Sequence, residues 1–250
     1  MAAEVEKPRK MNLETAYNVR SFAGYRTKGG AKASDRLLRG DCLLPMSGRD
    51  ARALASLGLS HVVDLRSEGE IKKVPSIFAS YKGVDYRNVP LISNAEAEIQ
   101  TPENFTMAML YIDLLQNVGP AILTVFKTIA AAAAGDGKLL FHCTAGKDRT
   151  GLIAALLLDL AGADDETIVR DYTETGENMA PVMDILRENS GVPASMAHFT
   201  DEILSARAKN MEDALGFLYS AYGGASGYLA GIGLAAEETG AIIEMLTERE

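Results

Sequence analysis

Apolar and polar positions alternate in two ways along the first 142 residues. Four short apolar runs with β-strand character stand at 36–39, 61–65, 84–89 and 138–142. Between them the apolar positions follow a helical spacing at 49–57, 102–116 and 120–135, and Pro120 suits the first turn of the last helix. Strands that alternate with helices predict an α/β sheet with helical crossovers.

Beyond Thr150 the pattern is helical and no strand is predicted. Helical segments cover 150–161, 181–188, 211–222 and 235–249, and Asp164 and Asp165 can cap a further helix. We therefore expect a central sheet of about four to five strands, mainly parallel and flanked by helices, followed by a mostly helical C-terminal half.

Length and composition are those of a globular protein. The chain has 250 residues, 47% of them hydrophobic and 24% charged, which is enough to close an apolar core. Since no low-complexity linker or repeat divides it, we expect one domain over residues 1–250, with a loosely ordered N-terminal segment at 1–16. The net charge of −9 argues against nucleic acid as a partner, so any bound anion must be held by local groups.

Cysteine usage and the N-terminus indicate a cytoplasmic protein. Cys42 and Cys143 are too few for a secreted disulfide scaffold. Residues 1–10 are charged and contain Pro8, so they lack the apolar stretch of a signal peptide, and no apolar run is long enough for an integral membrane segment. Secretion by a route that needs no cleaved signal stays open.

Residues 139–151, LLFHCTAGKDRTG, combine an apolar strand, a glycine-containing turn and the start of a helix. A helix N-terminus offers unpaired backbone N–H groups and the positive end of the helix dipole, which can bind phosphate. The same environment stabilises a thiolate, which predicts that Cys143 is a nucleophile; a lone cysteine is otherwise more often a packed structural residue. Arg149 can grip two phosphoryl oxygens, and Gly146 permits a backbone conformation that a Cβ atom would resist.

The segment 142–151, HCTAGKDRTG, resembles the HCx5R signature loop of the cysteine-dependent phosphatases, and its AGKDRTG half is similar to the bacterial tyrosine/serine protein phosphatases. Four more segments are similar to that family in the same order: NVRSFAGY at 18–25, RLLRGDCL at 36–43, VVDLRSEGE at 62–70 and YGGASGYLAGIGL at 222–234. The resemblance implies a cysteine-phosphatase-like sheet and a protein-tyrosine phosphatase, with possible extension to phosphoserine or phosphothreonine. It also implies a phosphocysteine intermediate and neither metal nor cofactor.

The resemblance also implies roles within this segment. Cys143 attacks phosphorus and Arg149 steadies the transition state. His142 orients the cysteine, and Thr150 donates a hydrogen bond to its sulfur. The implied phosphate-binding residues are Thr144, Ala145, Gly146, Lys147, Asp148 and Arg149.

A general acid must protonate the leaving oxygen. Asp148 is the candidate that the family pattern implies, and the alternative is that it merely pairs with Lys147 or Arg149. Asp113 lies upstream in an apolar helical pattern, where a carboxylate on the helix surface is the expected role.

Asp64 is the second candidate for the acid. It stands where the apolar run 61–65 ends, just before Ser67 and Glu70, which are spaced as a capping box. Strand ends of α/β sheets face binding crevices, but Asp64 could equally hold loops together.

Cations near the loop bear on the substrate. Phosphoinositide phosphatases with a similar signature also carry a cation beside the loop, as Lys147 is here. An inositol-lipid head group is therefore the alternative substrate. The polar loop 26–34 could add the charges of Arg26, Lys28 and Lys32 by folding over the pocket, or it could lie in solvent. A third interpretation is a phospho-binding module without turnover.

Three further features complete the expectations. Cys42 is either a resolving thiol for oxidised Cys143 or a packed side chain. His61 and His198 have no companion ligands at metal spacing, so both are interpreted as structural and no metal site is predicted. The tail residues expected in the core are Phe217, Leu218, Tyr219, Tyr222, Tyr228, Leu229 and Ile232.

Overall fold

The computed structural model describes residues 10–92, 105–189 and 205–248, of which 181–189 by their backbone. The strands are β1 (Arg20–Ser21), β2 (Leu37–Asp41), β3 (Leu59–Asp64), β4 (Asp85–Asn88) and β5 (Lys138–Cys143). The helices are α1 (Gly48–Ser56), α2 (Glu68–Lys73), α3 (Met107–Asn117), α4 (Gly119–Ala133), α5 (Asp148–Leu160), α6 (Asp165–Asn189), α7 (Ala208–Tyr222), α8 (Ala225–Gly231) and α9 (Ala236–Leu246). The predicted α/β fold with a helical C-terminal half is confirmed.

The strands form one sheet in the order β1-β2-β5-β3-β4. Strands β2, β5, β3 and β4 are parallel, and β1 is antiparallel to β2. In this register Asp41 lies beside Cys143, and Asp64 lies beside His142. The carboxyl ends of three neighbouring strands therefore meet at the point where the chain leaves Cys143.

Two apolar layers cover the sheet. On β5 the side chains of Leu139 and Phe141 join the larger core, which also contains buried residues of α3 to α9. Leu140 points to the other face, where it packs with Ala51 and Leu54 of α1. This alternation follows from the period of two in a strand that is covered on both faces.

Local side-chain contacts explain where several helices begin. The Ser47 hydroxyl accepts the Asp50 N–H at the start of α1, and Pro120 stands in the first turn of α4. At the start of α2, Ser67 and Glu70 form the predicted capping box. The carboxylate of Asp164 accepts the Thr167 N–H at 2.8 Å, as expected for the cap of α6.

Four elements differ from the sequence-based expectation. Strand β1 has two residues, too few to show a period, and α8 lies in the glycine-rich stretch that gave no helical signal. Pro181 does not begin a separate helix, because α6 continues through it to Asn189. The helix expected over 102–116 begins at Met107, and 102–104 lie outside the described residues.

The chain before β1 contacts α1. The backbone N–H groups of Glu14 and Thr15 donate to the Asp50 carboxylate at 2.9 and 2.8 Å, and the Met11 N–H donates to the Val19 carbonyl at 2.9 Å. Residues 10–16, expected to be loosely ordered, are thus held by hydrogen bonds. Residues 1–9 of that segment lie outside the described residues.

The loop 26–34 lies away from the Cys143 loop. The Lys28 N–H donates to the Ala161 carbonyl at 3.0 Å, beyond the C-terminal end of α5. Helix α5 has 13 residues and is therefore about 20 Å long, and the Cys143 loop joins its other end. Arg26, Lys28 and Lys32 are exposed there, which matches the alternative of a loop in solvent and not the one that adds their charge over the pocket.

The C-terminal helices are part of the core, as expected. Leu218, Tyr228 and Leu229 are buried. The remaining tail residues pack against this core while partly exposed, and they are Phe217, Tyr219, Tyr222 and Ile232. Among the described residues no single helix has the length and apolarity of a bilayer span, although α3 and α4 together meet both measures across an 80° bend.

Candidate active site

A short turn at 144–147 connects β5 to α5, and Cys143 is the last residue of the strand. The Cys143 side chain is buried. Gly146 has φ +67°, and a Cβ atom there would lie 2.4 Å from the Gly40 carbonyl oxygen and 2.9 Å from the Asn18 amide nitrogen. The predicted need for glycine at 146 is confirmed, both by backbone conformation and by the close approach of β2.

Side chains outside the turn hold its carbonyl oxygens. Asn18 Nδ2 donates to the carbonyls of Ala145 and Gly146, both at 3.1 Å, and Arg39 Nη2 donates to that of Gly146 at 2.6 Å. The C=O and N–H of a trans peptide point in opposite directions. Fixing these carbonyls from outside therefore turns the following N–H groups toward the inside of the turn.

Several backbone N–H groups at this turn have no acceptor among the residues that the structure describes. We call them the loop amides, and they belong to Thr144, Ala145, Gly146, Asp148 and Arg149. The last two are in the first turn of α5, where N–H groups have no intrahelical partner. The loop amides and the positive end of the α5 dipole together can bind an anion.

A buried ion-pair network supports the side chains that hold the turn. Arg20 and Arg39 are fully buried, and both pair with Asp171 of α6; Arg20 Nε lies 3.2 Å from Asp171 Oδ1. Arg20 also donates to the Asn18 side-chain oxygen. Burial opposes ionisation of Asp171, but the two guanidinium groups outweigh it and lower its pKa.

Arg149 is engaged by Glu70. Its Nη1 and Nη2 each lie 2.7 Å from one carboxylate oxygen, and the Thr144 hydroxyl donates to the same carboxylate. Burial works against the charge of Glu70, but these hydrogen bonds prevail and lower its pKa to about 2. Sequence reasoning identified Glu70 only as a capping residue, because its distance of 79 positions from Arg149 hides the pairing.

Asp148 lies in the first turn of α5 and is partly exposed. Its Oδ1 accepts the Tyr111 hydroxyl at 2.7 Å and lies 3.5 Å from Lys147 Nζ, so the pairing with Lys147 that the sequence left open is present. Its Oδ2 accepts no hydrogen bond from the described part of the chain. Asp113 is exposed on α3 and accepts from Asn117, as expected of a helix-surface carboxylate.

Asp64 is fully buried and its oxygens are occupied. Arg66 Nε lies 2.9 Å from Oδ1, Arg66 Nη2 lies 2.7 Å from Oδ2, and the Tyr86 hydroxyl donates to Oδ2 at 2.9 Å. Burial opposes its ionisation, but His142 and Arg66 outweigh burial and lower the pKa of Asp64. These contacts match the alternative in which Asp64 holds loops together.

His142, directly before the cysteine, and Thr150, in the first turn of α5, are both buried. His142 Nδ1 lies 3.2 Å from the Cys143 carbonyl oxygen, and its Nε2 lies 3.7 Å from Asp64. Burial lowers the pKa of His142, although the charge of Asp64 opposes this. The Thr150 hydroxyl has no hydrogen-bond partner among the described residues.

Lys147 and Cys42 are both buried. Lys147 Nζ donates to the Ser205 carbonyl at 3.1 Å, so this cation is committed to the protein as well as to Asp148. Burial raises the pKa of the Cys42 thiol to about 11.

No group of metal-binding side chains occurs in the described ranges. His61 forms a hydrogen bond with the Ser60 hydroxyl, and His198 lies outside the described residues.

Comparisons with known proteins show the family to which this chain is similar. A model of the tyrosine phosphatase family matches residues 11–248. A tyrosine-protein phosphatase of Nostoc commune is 34% identical over 82% of this chain and 72% of its own length. The triple specificity protein phosphatase PtpB of Mycobacterium tuberculosis is 25% identical over 89% of this chain and 94% of its own length.

Among solved structures, that of P. aeruginosa TpbA is 15% identical, covers 94% of this chain and all of its own, and has a TM-score of 0.47. The family model, which spans residues 11–248, confirms over nearly the whole chain the resemblance carried by HCTAGKDRTG. The chain belongs to the tyrosine phosphatase family and is an enzyme of the protein tyrosine phosphatase class.

Proposed function

We propose that the protein hydrolyses phosphotyrosine in proteins through a phosphocysteine intermediate on Cys143. The observation that carries this proposal is the set of loop amides next to a buried cysteine at the N-terminus of α5. Donors fixed in advance stabilise the charge of a phosphoryl group in the transition state without reorganisation. They also favour the thiolate form of the sulfur.

In the first step the Cys143 thiolate attacks phosphorus, and the bond from phosphorus to the tyrosyl oxygen breaks. A sulfur–phosphorus bond forms, and the leaving oxygen takes a proton from Asp148. The loop amides bind the three non-bridging oxygens throughout, so their hydrogen bonds strengthen as charge spreads over those oxygens.

Arg149 can contribute to this step while Glu70 remains bound to it. A guanidinium group has two edges that each present two parallel N–H donors, and Glu70 uses the Nη1–Nη2 edge. Arg149 Nε donates to no described residue. The Nε–Nη2 edge is thus available to two phosphoryl oxygens, with Glu70 holding the plane of the guanidinium.

Asp148 is the proposed general acid, in preference to Asp64. Asp148 is partly exposed at the start of α5, and its Oδ2 accepts nothing from the described residues, whereas Asp64 is fully buried with both oxygens engaged. A general acid must come within hydrogen-bond reach of the substrate, which favours the exposed carboxylate.

In the second step water attacks the phosphocysteine. Asp148, now a carboxylate, takes a proton from the water, the sulfur–phosphorus bond breaks, and phosphate leaves with the thiolate restored. The buried hydroxyl of Thr150, two positions into the same helix, supports this step as a hydrogen-bond donor to the departing sulfur.

An apolar group beside the turn supports an aromatic substrate. Tyr17, Leu43 and Ala145 are partly exposed and pack around the buried Met179. Ala145 belongs to the turn itself, so a tyrosyl ring whose phosphate reaches the loop amides can contact this group. The name of the mycobacterial relative contains the words triple specificity, which makes phosphoserine and phosphothreonine peptides natural comparison substrates.

The test compares wild type with two variants on phosphotyrosine peptide and on nitrophenyl phosphate, whose leaving group needs no acid. Cys143→Ser should abolish hydrolysis of both, and Asp148→Asn should lower kcat/KM on the peptide about 100-fold and much less on nitrophenyl phosphate. Cys42→Ser is the matched control and should keep activity.

Activity retained by Cys143→Ser would refute the nucleophile, and wild type that binds phosphopeptide without a burst of alcohol would indicate a binding module. Faster turnover of inositol-lipid phosphates than of phosphotyrosine peptides would refute the assigned substrate class.

A further inference from the structure

Two buried tyrosines lie behind Asp148 and take no part in the mechanism above. Tyr111 of α3 and Tyr172 of α6 are 0% and 1% exposed. Their hydroxyl oxygens are 2.7 Å apart and their rings meet edge to face, with centroids 5.9 Å apart. The Tyr111 hydroxyl also lies 2.7 Å from Asp148 Oδ1. Sequence reasoning missed both tyrosines, which stand at ordinary core positions of their helices.

The chemistry of the groups fixes the direction of these hydrogen bonds. An ionised carboxylate only accepts, so Tyr111 donates its one proton to Asp148. The Tyr111 oxygen must then accept from Tyr172. The Tyr172 hydroxyl in turn interacts with the side chain of Asn210, which is buried on α7. Burial, together with the nearby charge of Asp148, raises the pKa of both tyrosines, so both keep their protons.

The two oxygens of Asp148 are therefore not equivalent. Tyr111 and Lys147 both approach Oδ1, whereas Oδ2 accepts nothing from the described residues. When the carboxyl is protonated, its proton is favoured on Oδ2, because Oδ1 already accepts from Tyr111. Hydrogen bonds in series polarise one another, so the bond from Tyr172 to Tyr111 strengthens the bond from Tyr111 to Asp148 Oδ1.

We propose that Tyr111, held in place by Tyr172, is a positioning residue that directs the proton-bearing oxygen of Asp148 toward the leaving group. This inference rests on the proposed function. As the proton leaves Oδ2 for the tyrosyl oxygen, the resulting negative charge is shared with Oδ1, and the hydrogen bond from Tyr111 strengthens. The contribution is thus larger in the transition state than in the ground state, which is the requirement for a faster reaction.

Tyr111→Phe should lower kcat/KM on phosphotyrosine peptide about tenfold, as expected for one lost hydrogen bond to a charged group, and change it less than about twofold on nitrophenyl phosphate. The inhibition constant of inorganic phosphate should stay unchanged, because ground-state binding uses the backbone N–H of Asp148 and not its carboxyl group. Tyr172→Phe should show the same selectivity with a smaller loss, since Tyr111 keeps its bond to Asp148.

Tyr228→Phe is the matched control. Tyr228 is equally buried, and its hydroxyl donates to the Leu115 carbonyl at 2.9 Å in the core behind α8. Like Tyr111→Phe, this variant loses a hydroxyl oxygen and a buried hydrogen bond. Its thermal stability should therefore fall, while kcat/KM on both substrates stays constant. It separates a loss of stability from a loss of positioning.

The outcomes distinguish this inference from the function on which it rests. Selective loss in Asp148→Asn but not in the tyrosine variants overturns the positioning role alone. An equal loss on both substrates in Tyr111→Phe, with weaker phosphate inhibition, also overturns it, since the change then disturbs the turn generally. Absence of selectivity in Asp148→Asn overturns the acid assignment, and the inference with it.

Discussion

Asn18 donates a hydrogen bond to the carbonyl oxygen of Gly146 at 3.1 Å, across 128 positions of sequence. The backbone N–H of Asn18 is itself held by Asp41 at 2.7 Å. Asn18 also donates to the Ala145 carbonyl at 3.1 Å. Because that carbonyl faces Asn18, the next N–H, the loop amide of Gly146, faces the inside of the turn. A side chain outside the turn thus fixes a donor of the proposed phosphate site.

Asn18→Ala should lower kcat/KM at least about tenfold and stability by about 1–2 kcal/mol, because two turn carbonyls lose a donor. Asn88→Ala is the control, since Asn88 also donates to two carbonyls, those of Asp64 and Arg66, at the end of β3. Steady-state kinetics and urea unfolding would compare the two variants. A similar fall in stability with equal activity in both would contradict the role of Asn18.

Asp41 links the stability of this region to pH. Burial raises its pKa to about 6, although the backbone N–H groups of Asn18 and Tyr17 oppose this. A carboxyl that binds its proton more tightly when folded stabilises the fold most below its unfolded pKa, and loses this stabilisation as pH rises through about 6. For a shift of about two units the loss is about 3 kcal/mol.

Asp41→Asn removes that titration and serves as the reference. We expect the unfolding free energy of wild type relative to the variant to decrease as pH rises from about 4 to about 7.5, as measured by urea unfolding. A difference that is constant, or that grows with pH, would show that the proton on Asp41 does not stabilise the fold.

The contribution of Glu70 to stability depends on pH with the opposite sign. Its pKa is lowered to about 2, so its pairing with Arg149 stabilises the fold above its ordinary pKa and is lost as pH falls through about 2. Glu70→Gln should flatten this acid dependence in thermal unfolding, and it should lower kcat/KM about tenfold because Arg149 loses the partner that orients it.

Glu238→Gln is the control for Glu70, because Glu238 also caps a helix, α9, by accepting the Ala235 N–H, and no described arginine pairs with it. It should leave both activity and acid dependence near wild type. Equal activity in the two glutamine variants would contradict the orienting role of Glu70.

The sheet and most helices follow from local pattern. The β-like runs and the capping signals at Ser67 and Asp164 are properties of a few consecutive residues, so they can be identified without the fold. Strand β1 and helix α8 could not be predicted, since one is too short for a period and the other contains glycine at two of its seven positions.

The same distinction between local pattern and packing applies to the residues of the site. Cys143 to Thr150 are consecutive, so their spacing is visible in the sequence. The groups that orient them, Asn18, Glu70 and Tyr111, come from other elements and meet the turn only through packing. Each also has an ordinary local role, in a loop, a helix cap and a core position, which conceals its second contact.

The central claim is that phosphorus is transferred to the sulfur of Cys143. The most direct measurement is rapid acid quenching of the enzyme during turnover of a labelled aryl phosphate, followed by peptide mapping. The account predicts label on the peptide that contains Cys143, bound through sulfur. With an aryl group that leaves without acid assistance, the amount of label should increase in Asp148→Asn, because only the second step, hydrolysis of the phosphocysteine, is then slowed. Label on any other residue, or turnover of wild type with no labelled enzyme at any quench time, would contradict it.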